Sequence, residues 1–242
     1  MNKDIESEDY FALRHSAKPY IDPSAVFGEK YMAAVIPTDL DNRIIDLGCG
    51  YGQNLYCFRN MGYNNVFGID LNLNAVTDLR NNNFKVQQID LLEYLETFQD
   101  EKFHLVILSH VLEHLEKNDS LNVLKLIYTK LLLPGGSIFI QVPNAQSSTG
   151  CYWAYEDFTH YRLYTSGSIS YSLKFAGFDN LEFLDPEGFG NESGIKLLFK
   201  KVLLYLFKKR TRLWNYATSS TFHGGSPEIY TYDLKVLARR AH

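Results

Sequence analysis

From Arg43 onward, short apolar runs alternate with stretches whose apolar residues recur every three or four positions. The runs 44–47, 65–70, 84–91 and 104–109 are rich in Ile, Val, Leu and Phe, which suit strands buried on both faces. Leu121, Leu124, Ile127, Tyr128 and Leu131 fall on one face of a helix predicted over 120–132, and Pro134-Gly135-Gly136 ends it. A strand over 137–142 follows, and Pro143-Asn144 opens a long segment reaching Thr165. Beyond it the pattern predicts a helix over 166–176 stopped at Gly177, a strand over 180–184 and a last strand near 229–238. Alternation of this kind is the signature of βαβ units around a parallel sheet of six or seven strands.

The 242 residues suffice for one substantial core, and no compositional break divides them, so a single domain is expected over 1–242. Within it the pattern separates an N-terminal helical cover over 1–40, a core over 41–145, insertions over 146–228 and the last strand over 229–240. A net charge of −4 gives no reason to expect nucleic acid as a partner. Cys49, Cys57 and Cys151 form no Cys-x-x-Cys pair and no metal cluster, which suits a reduced, cytoplasmic setting and predicts no metal. The acidic start, residues 1–10, lacks the features of a signal peptide, and no apolar run nears the ~20 residues that span a bilayer.

The densest chemical signal is Ile44-Ile45-Asp46-Leu47-Gly48-Cys49-Gly50-Tyr51-Gly52-Gln53, a strand that delivers an acid and three alternate glycines to the start of a helix. Such glycines let the backbone approach a ligand, and the helix N-terminus presents free N–H groups. The dinucleotide fingerprint wants a glycine where Gln53 stands, and the phosphate-loop ending Gly-Lys-Ser/Thr is absent. Two further strands also close on acids, Asp70 and Asp90; the first lies about 20 residues past the glycines, where such folds hold ribose hydroxyls. Asp90 has the alternative role of a helix N-cap.

The pattern Asp-x-Gly-x-Gly-x-Gly resembles motif I of class I S-adenosyl-L-methionine (SAM)-dependent methyltransferases. The resemblance spans roughly 44–178 and the tail strand. It implies an α/β fold: a Rossmann-like, seven-stranded, mostly parallel sheet with one antiparallel edge strand, helices on both faces and a helical cover. It also implies SAM as cofactor and S-adenosyl-L-homocysteine as product. Asp46, Gly48, Cys49, Gly50 and Gln53 are then cofactor residues of the loop, with Asp70 and Leu71 at the ribose and Asp90 and Leu91 at the adenine. Ser109 and His110 fall beside the methionine moiety, and Arg14 of the cover is a candidate partner for its carboxylate, or else a solvent-facing arginine.

Methyl transfer to a hydroxyl gains from a base poised near neutrality, for which histidine is the usual choice. Leu112-Glu113-His114 resembles a segment of ubiquinone-biosynthesis methyltransferases. Asp157-x-Thr159-His160-x-Arg162 resembles small methyltransferases of cell-surface polysaccharide and lipid-head modification. These resemblances make His160 the favoured base, His114 its competitor and Arg162 a fork-shaped binder for a phosphate or carboxylate on the acceptor. Against these stand bland readings: His114 orienting its loop, and Asp157, His160 and Arg162 fastening the segment to the core. Tyr152, Trp153 and Tyr155 either stack on the acceptor or pack.

The expected activity is O-methylation of a sugar, nucleotide sugar or phosphorylated precursor of a cell-surface polysaccharide. The alternatives are a quinone-precursor hydroxyl, a nitrogen acceptor, or a SAM-binding module without catalysis. The apolar, basic run 195–210 is expected to be a crossover helix packed on the sheet, with peripheral contact to the inner face of a membrane as the other reading.

Overall fold

The computed structural model describes residues 30–242. Arg14 and most of the expected cover lie outside them; a short 3₁₀ turn, Lys30–Ala34, opens the described part. The strands are β1 (Ile44–Leu47), β2 (Val66–Asp70), β3 (Lys85–Gln88), β4 (Phe103–Ser109), β5 (Leu132–Pro143), β6 (Asn180–Phe183) and β7 (Asp233–Arg239). They form one sheet in the order β3-β2-β1-β4-β5-β7-β6. β1 to β5 pair in parallel, and β7 runs antiparallel to both β5 and β6. The antiparallel strand expected at the edge therefore takes the penultimate place, with β6 outside it.

The helices are α1 (Gln53–Asn60), α2 (Leu73–Asn81), α3 (Leu91–Thr97), α4 (Lys117–Leu126), α5 (Gly150–Glu156), α6 (Ser166–Ala176) and α7 (Gly194–Ala217). Alternation along the strands builds a core on each face of the sheet. Ile45, Leu47, Val106, Leu108, Ile138 and Ile140 meet Leu95 of α3, Val123 and Leu124 of α4 and Ile169 and Leu173 of α6. Ile44, Leu105, Ile107 and Phe139 point the other way, onto Leu55 and Phe58 of α1 and Leu79 of α2.

Two boundaries shift for identifiable reasons. α4 continues through a wider turn, Ile127–Leu131, straight into β5, which pairs Leu132 with Phe103 before the Pro134-Gly135-Gly136 turn loops out and Ser137 resumes opposite Leu105. The Arg240 guanidinium holds that bulge by donating to the Leu132 carbonyl at 2.5 Å. β7 begins only at Asp233, because 229–232 run as a connection whose carbonyls at Ile229 and Thr231 accept from the Asn144 side chain.

The larger correction concerns α7. It does not pack on the sheet: none of its residues is buried, and its polar ties go to the flanking loops, through Glu187, Glu192 and Glu228. Lys200 and Leu204 instead line a cavity whose other walls include Asp233 and Lys235 of β7.

α6 ends as the pattern predicts, at Gly177, whose φ of 113° lies in the left-handed half of backbone space. A Cβ there would stand 2.9 Å from the Tyr128 ring. Gly177→Ala is expected to lower stability by about 1–2 kcal/mol while leaving SAM affinity unchanged, read by urea denaturation alongside cofactor titration.

Candidate active site

Asp46, Asp70 and Ser109 stand at the carboxyl ends of β1, β2 and β4, where these parallel strands release their loops. In the β1–α1 loop, a Cβ at Gly48 would meet Val111 at 2.6 Å, so only glycine lets this loop lie against the segment after β4. Gly50 differs: nothing lies within 4 Å of where its Cβ would be, so the backbone there faces open space. Its N–H donates to Asp70 Oδ2 at 2.7 Å, and Asp70 Oδ1 accepts from Asn72 N at 2.8 Å. Burial raises the Asp70 pKa against the pull of these backbone donors.

Asp46 is the buried acid beneath the loop, 2% exposed. Asn54 Nδ2 donates to its Oδ2 at 3.0 Å, and its Oδ1 has no hydrogen-bond partner. Burial pushes its pKa up to about 7, with the Asn54 hydrogen bond opposing and the Asp70 charge adding to the rise. Cys49 is buried and its thiol is pushed far up by burial, so it packs rather than reacts. Gln53 is exposed at the start of α1. Leu71, 60% exposed, follows β2, and the exposed Asp90 accepts from Leu92 N and Glu93 N as the N-cap of α3, with half-buried Leu91 beside it. Ser109 ends β4 half-buried.

His110 follows with φ of 54°, a conformation that a non-glycine residue adopts only under strain. The ring then stands between two carboxylates, Nδ1 3.2 Å from Glu113 Oε1 and Nε2 3.4 Å from Asp233 Oδ2. Burial favours its neutral form, but the hydrogen bonds and charges of Asp233 and Glu113 outweigh this and push the pKa up to about 10. His110 is thus a cation with both nitrogens engaged, which excludes it as a base at neutral pH. Gln141 Nε2 donates to the same Asp233 oxygen at 2.6 Å.

His114 and His160 meet one turn further on, ring centroids 4.8 Å apart. The Thr159 hydroxyl lies 2.6 Å from Asp157 Oδ1 and 2.8 Å from His114 Nδ1. Its one proton goes to the carboxylate, so Nδ1 donates to Thr159 and Nε2 carries the lone pair. His160 Nδ1 donates to the Trp153 carbonyl at 2.8 Å, and its Nε2 lies 3.8 Å from Asp157 Oδ2. Burial lowers the His114 pKa, outweighing the Glu113 charge that raises it. Glu113 is fully buried, and its Oε2 has no hydrogen-bond partner. Among the described residues, Glu113, His114 and His160 offer ligand atoms within 4.8 Å of one another, the one cluster able to hold a cation.

A methyltransferase-domain family model matches residues 17–182. The chain belongs to the class I SAM-dependent methyltransferases. It uses SAM and releases S-adenosyl-L-homocysteine. Among solved structures, a SAM-dependent methyltransferase from Archaeoglobus fulgidus is 19% identical with a TM-score of 0.66, over 95% of this chain and 98% of that one. A Haloferax volcanii protein, solved as a complex of the Trm112 methyltransferase activator with a methyltransferase, is 17% identical with a TM-score of 0.64, over 97% of both chains. A Haemonchus contortus phosphoethanolamine N-methyltransferase, solved with phosphomonomethylethanolamine and S-adenosylhomocysteine, is 19% identical with a TM-score of 0.56, over 88% of this chain and 52% of that one. A search of curated sequences finds no match.

In this methyltransferase Arg162 is turned inward. Its Nη2 donates to Ser120 Oγ at 2.5 Å and to Tyr164 OH at 3.0 Å, and its guanidinium stacks on the Tyr164 ring. Glu113, Asp233 and Gln141 join the site without having stood among its expected residues. Asp233 lies 92 positions from Gln141 and arrives only through the β5–β7 register, for which no local sequence signal exists.

Two expectations follow. The folded-state pKa of Asp46 lies above its ordinary 3.8, so the folded chain binds the proton more tightly between about pH 4 and 7. The stability from this group is therefore greatest below pH ~4 and declines as pH rises to ~7. Asp46→Asn should flatten that decline, measured as urea midpoints across the range. Arg162→Ala is expected to cost about 1–3 kcal/mol through the lost hydrogen bonds and stacking, with SAM affinity unaltered by titration calorimetry.

Proposed function

We propose that this methyltransferase acts at oxygen, on a hydroxyl of a small polar acceptor: a sugar, nucleotide sugar or phosphorylated precursor of a cell-surface polysaccharide. The observation that carries the reading is His114, an imidazole whose pKa burial lowers and whose Nδ1 is held by the Thr159 hydroxyl at 2.8 Å. A hydroxyl must lose its proton as it attacks, whereas a phosphate or carboxylate oxygen needs no base.

SAM supplies an activated methyl group on a sulfonium, which an acceptor held in line can displace. The open backbone at Gly50 has room for a ligand, and the unpartnered Asp46 Oδ1 suits a cationic one, so the loop fits this cofactor. On this reading Asp46, Gly48, Gly50 and Asp70 line the methionine and ribose portion, with Cys49 and Gln53 shaping the loop. Leu71, Asp90 and Leu91 border the adenine, and Ser109 and His110 flank the methionine end. The His110 cation holds Glu113 and Asp233 in place rather than moving protons.

His114 Nε2 takes the acceptor proton. His160, with its side chain 6% exposed and anchored to the Trp153 carbonyl, positions the His114 ring. A cavity of about 650 Å³ lined by Asp185, Glu187, Glu192, Lys200, Tyr230 and Lys235 shares Asp233 with the site, but none of the histidines or β1–α1 loop residues line it.

The test is S-adenosylhomocysteine release over a panel of nucleotide sugars, sugar phosphates, quinol precursors and amines. His114→Ala is expected to lower kcat by about 10²–10⁴ on the hydroxyl substrate with SAM affinity retained. The acid limb of kcat should fall below the ordinary histidine value of 6.5, the direction in which burial moves His114. Turnover confined to amines, or full activity in the variant, would overturn the assignment.

A further inference from the structure

The proposed chemistry leaves α7 unused. Its 24 residues carry seven lysines and arginines and no acid, in a chain whose net charge is −4. The half-buried positions Leu197, Lys200, Leu204, Phe207, Thr211 and Asn215 recur at helical spacing and mark the stripe facing the body. At about 100° per residue, Ile195, Leu198, Phe199, Val202, Leu206 and Leu213 form the opposite stripe. All six are exposed, from 47% at Val202 to 87% at Ile195.

Four of the cations are tied to the body: Lys196 and Lys200 each lie 2.8 Å from Glu192, Lys208 3.5 Å from Glu187 and Arg212 3.0 Å from Glu228. These pairs aim the helix so that its apolar stripe points outward. Lys201, Lys209 and Arg210 have no acidic partner among the described residues; Lys201 lies over the Phe189 ring of the body at 5.8 Å, whereas Lys209 and Arg210 lie on the stripe's side of the helix. Tyr205, Trp214 and Tyr216, all exposed, lie along its margins.

We propose that α7 seats this methyltransferase on an anionic membrane surface, its apolar stripe in the headgroup–acyl boundary and Lys209 and Arg210 against lipid phosphates. An exposed apolar face bordered by cations and amphipathic aromatic rings is what such an interface selects. A second copy of the chain fits poorly, since apposed α7 helices would bring together cations without a countercharge from either helix. No helix among the described residues is long and apolar enough to cross a membrane, so the helix lies along the surface, spanning about 36 Å at ~1.5 Å per residue. The inference goes beyond the acceptor reading and holds for any acceptor.

The experiment is vesicle flotation of the full chain with phosphatidylcholine alone or mixed with phosphatidylglycerol, at low and high salt. Binding is expected only to the mixed vesicles, and to weaken as salt screens the lipid charge. Leu198→Glu/Leu206→Glu and Lys209→Glu/Arg210→Glu should each reduce partitioning by about tenfold or more. SAM titration of every variant reports an intact fold and stands independently of any vesicle result. Absence of flotation by the parent chain, equal flotation by the variants, or a solution dimer that Leu206→Glu dissociates would overturn the proposal.

Discussion

The fully buried carboxylate of Glu113 needs a countercharge, and much of the site is arranged around supplying one. The His110 ring provides it, at the cost of a left-handed backbone at a non-glycine position. The same ring reaches Asp233, so one imidazolium joins the end of β4 to the start of β7. The Glu113 carbonyl also accepts from Tyr161 N at 2.8 Å, which fastens the histidine-bearing loop to the same residue. His114 and His160 therefore depend for their geometry on a side chain that neither of them touches through its hydrogen-bonded nitrogen.

That arrangement separates the three histidines by role. His110 has an anion at each nitrogen and stays charged, whereas His114 has a neutral hydroxyl at one nitrogen and lone-pair character at the other. Ring type is the same; the partners decide what each can do. The neighbourhood follows suit, since the Tyr232 phenol is pushed up to about 12 by burial and by the Asp233 charge.

The sheet was legible in the sequence because parallel strands are apolar on both faces and close on the acids that mark their carboxyl ends, as Asp46 and Asp70 do. The bulge at Pro134-Gly135-Gly136 and the late start of β7 were not, since each depends on a partner from the far end of the chain, Arg240 or Asn144. In the site, spacing located the Asp157–Arg162 loop but could not orient Arg162, whose direction is set by Ser120 and Tyr164. The period of α7 was equally legible, but an amphipathic period is the same whether its apolar face meets a sheet or points away from one.

The penultimate position of β7 has a consequence for synthesis. Among the described residues β6 has no other neighbour in the sheet than β7, so its backbone groups there find their partners only once residues 233–239 exist. Chains emerge N-terminus first, and the first five strands and their helices can dock while the remainder is still being translated. The countercharge for His110 at Asp233 arrives with the same residues. A nascent chain short of residue 233 would carry the first five strands and the β1–α1 loop but neither the β6–β7 pair nor the Asp233 carboxylate.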